Sequence, residues 1–274
     1  MKRFLFLALT AVFIVTAKAA DVDSINVSGS NLPDPMKVVV ITPENLNDTV
    51  RYPVAYVLHG YGGAQDNWIK HQPRLKDLAD QYGMIIVNPD GRNSWYIDSP
   101  VDSTIRMESF FIEDLIPYID ANYPTNPEPS QRAVTGLSMG GHGALSLAFK
   151  HPDVFGNAGS MSGGVDILPF AGRWTLNDVL GSYDEHPERW EAVSVINLVD
   201  NVKPGTLNIL IDCGNDDFFK QVNDNLHQVL IDKGIAHDYI SRPGGHSWDY
   251  WNNSILYHLL FFNEAFKKAP VLNR

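Results

Sequence analysis

The sequence predicts an α/β fold: a mostly parallel central sheet flanked by helices, with one insertion over the C-terminal ends of the strands. Three observations point there. Apolar, β-branched segments alternate with helix-period segments along most of the chain, the pattern of strands joined by crossover helices. Several of those segments are apolar at nearly every position, as strands covered on both faces are. The length of 274 residues, 44% of them hydrophobic, suits one large core of this type.

Taken in order, strands are expected at 37–41, 54–58, 84–87, 132–135, 158–161, 207–211 and 237–240. Phe110, Phe111, Leu115, Ile116 and Ile119 share one face of a helix, in which Pro117 is a local cost with no reason visible in the sequence. Phe218, Phe219, Val222, Leu226, Val229 and Leu230 give a second helix, and 255–266 a third. Residues 164–205 break the alternation. They carry Trp174, Trp190, two short helix-like pieces and several turn formers, inserted where such a sheet presents its C-terminal strand ends. The insertion there is either one wall of a substrate cleft or a surface excursion with its own small core.

The first residues read differently. Lys2 and Arg3 precede an apolar run at 4–15 and then Ala17-Lys18-Ala19, the pattern of an export signal cut near Ala19. That divides the chain into a leader at 1–19 and a single domain at 20–274, secreted or periplasmic. The apolar run is about a dozen residues, short of the ~20 that a spanning helix needs, and no later segment is long or apolar enough. Removing Lys2, Arg3 and Lys18 from 21 basic residues leaves 18 against 32 acidic ones, a formal charge of −14. Such a surface repels polyanions, which argues against nucleic acid and anionic membrane as partners. Cys213 is the only cysteine, so no internal disulfide supports the fold, and its place beside the apolar run 207–211 favours a buried structural role.

The run Val134-Thr135-Gly136-Leu137-Ser138-Met139-Gly140-Gly141 carries the chemistry. A strand, then Gly-x-Ser-x-Gly, then a small-residue helix start places Ser138 on a strained turn with its hydroxyl projecting, and Gly136 and Gly140 let the two arms approach. A serine hydroxyl is a weak nucleophile that needs a base, and the base needs an orienting acid. In folds with this turn the acid follows a later strand, and the histidine lies before the final helix. His246 of Gly244-Gly245-His246-Ser247-Trp248 occupies that position. Position singles it out among nine histidines. His151, His186, His227, His237 and His258 lie in helical or surface-like contexts and read as solvated or capping residues. His142, one helical turn past Ser138, reads as packing. The acid lies within Asp212-Cys213-Gly214-Asn215-Asp216-Asp217. Asp212 is expected to hold the turn through backbone hydrogen bonds, while Asp216 and Asp217 both remain open as the partner of the imidazole, the other being a helix cap. Oxyanion donors are expected from the Met139 N–H and, in the glycine-rich loop His59-Gly60-Tyr61-Gly62-Gly63, from the Tyr61 N–H. That loop lacks the Lys and Ser/Thr of a phosphate-binding loop. No His cluster with metal-ligand spacing is present, and no metal or organic cofactor is implied.

With these residues in place, the chain resembles the esterase D branch of the α/β-hydrolases, which includes S-formylglutathione hydrolases, feruloyl and acetylxylan esterases and mycolyltransferases. The resemblance spans about 38–266 and rests on Tyr56-Val57-Leu58-His59-Gly60-Tyr61-Gly62-Gly63, Asn88-Pro89-Asp90-Gly91, the Ser138 motif, Cys213-Gly214-Asn215-Asp216-Asp217 and the His246 motif. It implies the α/β-hydrolase fold and a serine carboxylesterase with Ser138, His246 and Asp217 as catalytic residues. It selects Asp217 over Asp216, and places the second oxyanion donor at Tyr61. An export signal argues against the cytoplasmic glutathione-ester activity. The resemblance to the family's secreted bacterial members implies a carbohydrate-linked ester, feruloyl or acetyl, on plant polysaccharide, with Trp95 and Tyr96 of Asn93-Ser94-Trp95-Tyr96 and Trp248 either as stacking surfaces or as core packing. Acyl transfer to a sugar acceptor and a non-catalytic glycan-binding relative are the alternatives. The oligomeric state is left open.

Overall fold

Val54–Leu58 is buried at every position, and so are Ile85–Pro89, Arg132–Gly136 and Asn157–Met161. Each lies between two neighbours with helices on both faces, which explains the apolar runs at 54–58 and 85–87, while Arg132, Thr135, Asn157 and Ser160 are polar residues buried in the same way. The structure is a computed structural model and describes residues 20–268; the expected leader at 1–19 lies outside the described residues. Its strands are β1 (Asp21–Val27), β2 (Met36–Thr42), β3 (Val54–Leu58), β4 (Ile85–Pro89), β5 (Arg132–Gly136), β6 (Asn157–Met161), β7 (Asn208–Gly214) and β8 (Asp238–Arg242). They form one sheet in the order β1-β2-β4-β3-β5-β6-β7-β8. The ladders from β4 through β8 are parallel, and β1–β2 and β2–β4 are antiparallel.

All seven expected strands are present within a few residues of their expected bounds. β1 was not expected. Its sequence, Asp-Val-Asp-Ser-Ile-Asn-Val, is exposed at its first four positions, so the backbone ladder to β2 at the sheet edge makes it a strand without an apolar pattern.

Two cores flank the sheet. The helices Met139–Lys150 and Lys220–Asp232 bury Leu145, Phe149, Leu226 and Leu230 on one face. The long helix Trp248–Lys268 and the helix Leu75–Tyr82 bury Ile255, Phe262, Leu75 and Leu78 on the other. Pro117 now has an account. The segment expected as one helix is a single turn at Met107–Ser109, a π-helical stretch at Phe110–Leu115 and an α-helix at Ile116–Asn122. Within it the Ile116 N–H donates five residues back, to the Phe111 carbonyl, so the ladder has already changed register where proline supplies no donor.

The insertion at 164–205 folds as a 3₁₀ turn (Leu168–Phe170) and the short helices Leu176–Leu180, Pro187–Val193 and Val195–Leu198. Trp190 is fully buried in the main core, with its indole N–H donating to the Gly181 carbonyl at 3.0 Å. Trp174 of the same insertion faces the cleft beside Ser138. The insertion is thus a cleft wall rooted in the main core.

Candidate active site

Ser138 links the end of β5 to the helix Met139–Lys150 at φ 55°, ψ −117°, a left-handed backbone that L residues rarely adopt. Neighbouring glycines permit the turn. A Cβ on Gly136 would lie 2.6 Å from the Gly140 carbonyl carbon, and one on Gly140 would lie 2.6 Å from the Leu58 and His59 carbonyl oxygens. Chain contacts hold the strained residue: the Ser138 N–H donates to the Met161 carbonyl at 2.9 Å, and Gly140 N–H to the Leu137 carbonyl at 2.7 Å.

β7 and β8 deliver the two partners. The loop after β7 and the loop after β8 lie against each other, with Asn215 N–H donating to the Arg242 carbonyl at 2.8 Å and Asp216 N–H to the Gly244 carbonyl at 2.9 Å. Gly214 allows this approach, since a Cβ there would sit 2.2 Å from the Gly244 oxygen. The result is a line of three side chains. Ser138 Oγ is 2.9 Å from His246 Nε2, and His246 Nδ1 is 2.9 and 3.1 Å from the Asp217 carboxylate oxygens. A carboxylate only accepts, so the tautomer that serves both contacts carries its proton on Nδ1 and leaves Nε2 to accept from the serine. The buried Asp217 carboxylate also accepts the Phe219 N–H at 2.8 Å.

On the opposite side of Ser138 the loop after β3 is held by His59. Its ring is buried, with Nδ1–H donating to the Gly60 carbonyl at 2.7 Å and Nε2 accepting the Gly91 N–H at 2.8 Å. Gly62, at φ 74°, donates its N–H to Asn93 Oδ1 at 2.8 Å. Among the described residues, the Tyr61 and Met139 N–H groups donate to no protein acceptor. Tyr61 and Ser138 both line a cleft of about 360 Å³.

Aromatic rings make up much of this cleft: Tyr61, Trp95, Trp174, Phe218, Trp248 and Trp251. Trp248 is stacked on His71 at 4.0 Å and edge-on to Trp68 at 5.1 Å. Tyr96 is not brought to the cleft. Its side chain turns inward, its hydroxyl donates to the His59 carbonyl at 3.1 Å, and its ring packs on Phe111. The tyrosine therefore supports the glycine-rich loop from behind.

Other readings change as well. Phe218 precedes the helix Lys220–Asp232 instead of packing within it; 52% exposed, it lies over the His246 ring at 4.2 Å. Trp251 meets the same ring edge-on at 4.8 Å. Neither was singled out as a site residue, though Phe218 directly follows the acid and Trp251 lies about one helical turn past Trp248. Asp212 does not brace the turn through backbone groups, since its carboxylate is bound by the Tyr250 hydroxyl and the Arg242 guanidinium. Asp216 caps nothing: the first N–H groups after the loop are served by Asp217 itself. His258 is wholly buried instead of solvated, bonded to Thr135 Oγ1 at 2.8 Å, and burial pushes its pKa down to about 4. His142 is buried as expected, between the Trp95 and Val193 carbonyls at 3.0 and 2.9 Å, and burial likewise pushes its pKa down to about 4. Cys213 is buried, which pushes its thiol pKa up.

The sheet, its flanking helices and the cleft at the strand ends define the α/β-hydrolase fold. The chain belongs to the esterase family described as "Putative esterase", whose model matches residues 29–262. An acetyl esterase of Caldicellulosiruptor saccharolyticus is 27% identical over 230 residues, 76% of this chain and 82% of that protein. An esterase of Mycobacterium tuberculosis is 30% identical over 236 residues, 76% of this chain; the chain spans only 52% of that protein's length. Among solved structures, a ferulic acid esterase superposes with a TM-score of 0.77 at 26% identity, covering 90% of this chain and 98% of that one. No helix among the described residues is long and apolar enough to cross a membrane.

Proposed function

We propose that the protein is an exported serine carboxylesterase of the Ser-His-Asp type that releases aromatic acyl groups, such as ferulate, from plant polysaccharide. The observation that carries the mechanism is the hydrogen-bonded line from Ser138 Oγ through His246 to Asp217, with contacts of 2.9 to 3.1 Å. Ser138 attacks the ester carbonyl carbon while its proton passes to His246 Nε2. Asp217 holds the imidazole tautomer and stabilises the imidazolium. The Tyr61 and Met139 N–H groups receive the developing oxyanion, a task in which one donor is worth about 100- to 1000-fold in rate. His246 then protonates the departing alkoxide as its bond to the acyl carbon breaks, and water, activated by His246, repeats the sequence to release the acid and restore Ser138.

The choice of acyl group rests on the cleft lining. Trp174 and Phe218 are stacked 5.8 Å apart at 24°, and with Trp248 they offer ring faces and edges to a planar group. A small acetyl group uses little of that surface. The name of the ferulic acid esterase supports the aromatic acyl group, and that of the acetyl esterase supports only the cleavage of a carboxylic ester. Export rests on the leader pattern at 1–19.

The test is an assay of the protein against methyl ferulate, acetylated xylan and a short-chain aryl ester, with Ser138→Ala as control. Methyl ferulate is expected to give the highest kcat/KM and Ser138→Ala to lose all turnover. Retained activity in that variant overturns the mechanism, and a preference for acetylated xylan overturns the acyl assignment.

A further inference from the structure

Behind the cleft wall lies a second cavity of about 270 Å³. The two are separated by one residue's thickness of chain. Trp95 and Trp174 line the cleft, while their neighbours Ser94 and Thr175 line the cavity. Asn93, also on the cavity, holds the Gly62 N–H of the cleft loop. This wall is conformationally strained. Of the seven non-glycine residues with positive φ among the described residues, five belong to it: Arg92 (49°), Trp95 (56°), Tyr96 (59°), Trp174 (51°) and Thr175 (58°). Left-handed backbone at ordinary residues costs free energy and gathers at ligand sites.

The chemistry of the cavity is two-sided. Leu32, Ile105, Met107 and Val179 form an apolar floor. Arg92 and Asp178 stand at the rim, both exposed, and neither side chain has an ion-pair or hydrogen-bond partner among the described residues. The Asn93 oxygen holds Gly62, and its amide N–H₂ donates to no acceptor among the described residues. A purely apolar occupant would use the floor and leave the polar groups at the rim without a partner. An anion would meet Asp178 as well as Arg92. A pyranose or furanose ring fits both sides, with its C–H face on the floor and neighbouring hydroxyls donating to Asp178 and accepting from Arg92 and Asn93.

We infer that this cavity is a subsite for one sugar unit of the alcohol part of the ester, with Asp178 and Arg92 as its specificity-determining residues. The inference rests on the reading of the substrate as a sugar-linked ester. While the aromatic acyl group occupies the cleft, the sugar reaches past the Asn93 and Thr175 wall into the cavity.

Two measurements test it. The first is the ratio of kcat/KM for a feruloylated arabinoxylan oligosaccharide to that for methyl ferulate, in the wild type and in Asp178→Ala and Arg92→Ala. Losing a hydrogen bond between a charged group and a sugar hydroxyl is expected to lower the ratio about tenfold in each variant. A ratio equal to that of the wild type overturns the subsite. The second is calorimetric titration of the Ser138→Ala protein with the same oligosaccharide lacking ferulate, where binding is expected and adding Asp178→Ala is expected to remove it. No binding, or binding indifferent to Asp178→Ala, overturns the subsite. Because the titration needs no ester, a wild type that cleaves neither feruloyl ester refutes the proposed acyl class, while the titration still decides the subsite.

Discussion

Arg242 Nη2 lies 2.9 Å from Asp212 Oδ2, an ion pair between β7 and β8 whose carboxylate is wholly buried. The guanidinium sits between the Tyr250 and Tyr257 rings, at 4.5 and 5.1 Å, and Nη2 also donates to Ser254 Oγ at 2.6 Å. Each partner lies at the end of a strand that leads into one of the two loops bearing Asp217 and His246. The pair therefore holds the Asp217 loop and the His246 loop in a common register.

Replacing Arg242 with Met leaves a buried carboxylate with only the Tyr250 hydroxyl. Because the arginine is partly exposed, the cost is expected to be about 2–3 kcal/mol, below the 3–5 of a fully buried pair. Urea unfolding of Arg242→Met, Asp212→Asn and the double variant checks this, and the double variant should lose less than the sum of the two.

Asp217→Asn is expected to lower kcat by about 10⁴-fold, because an amide can donate to Nδ1 and so favours the wrong imidazole tautomer. Asp216→Asn, at an exposed carboxylate that makes no hydrogen bond among the described residues, should leave kcat within about twofold. Steady-state kinetics on one aryl ester compares them.

Trp174→Ala removes a ring from the cleft wall without opening the main core. KM for methyl ferulate is expected to rise up to about tenfold, the equivalent of one aromatic contact. Turnover of acetylated xylan should barely change, and assaying both substrates on one preparation measures the difference.

His142 and His258 make stability depend on pH. Burial lowers both pKa values from 6.5 to about 4. The unfolded chain therefore binds protons at these positions before the folded one does, so their contribution is complete above about pH 6.5 and is lost progressively down to about pH 4. Urea midpoints at pH 7 and pH 5 should show the fall, and His258→Gln should flatten part of it.

Much of the fold was legible because the central strands are buried on both faces, which favours apolar residues at most positions of β3 and β4. β1 was not, since its place depends on ladder hydrogen bonds that leave no trace in side-chain type. The candidates Ser138 and His246 were legible because each occupies a distinct chain position at the end of a strand, a glycine-flanked turn and a glycine loop before the last helix; Asp217 could be told from Asp216 only through the family resemblance. The aromatic residues were harder to place. Trp95 and Tyr96 are adjacent and equally buried, yet only one reaches the cleft, a difference that depends on backbone angles the residue types do not report. Phe218 looked like helix core by spacing alone, and only its position beside the imidazole gives it another role.

β8 has a hydrogen-bonded neighbour on one side only, and His246 hangs from its end. Sheet edges open at lower free energy than sheet centres. Fraying of this single strand removes His246, the proposed base, from Ser138 while β3, β5 and β6 stay paired. The enzyme should accordingly go silent under mild denaturation before its tryptophan signal reports any loss of the core, so that residual activity gauges the integrity of the sheet's margin and spectroscopy that of its interior.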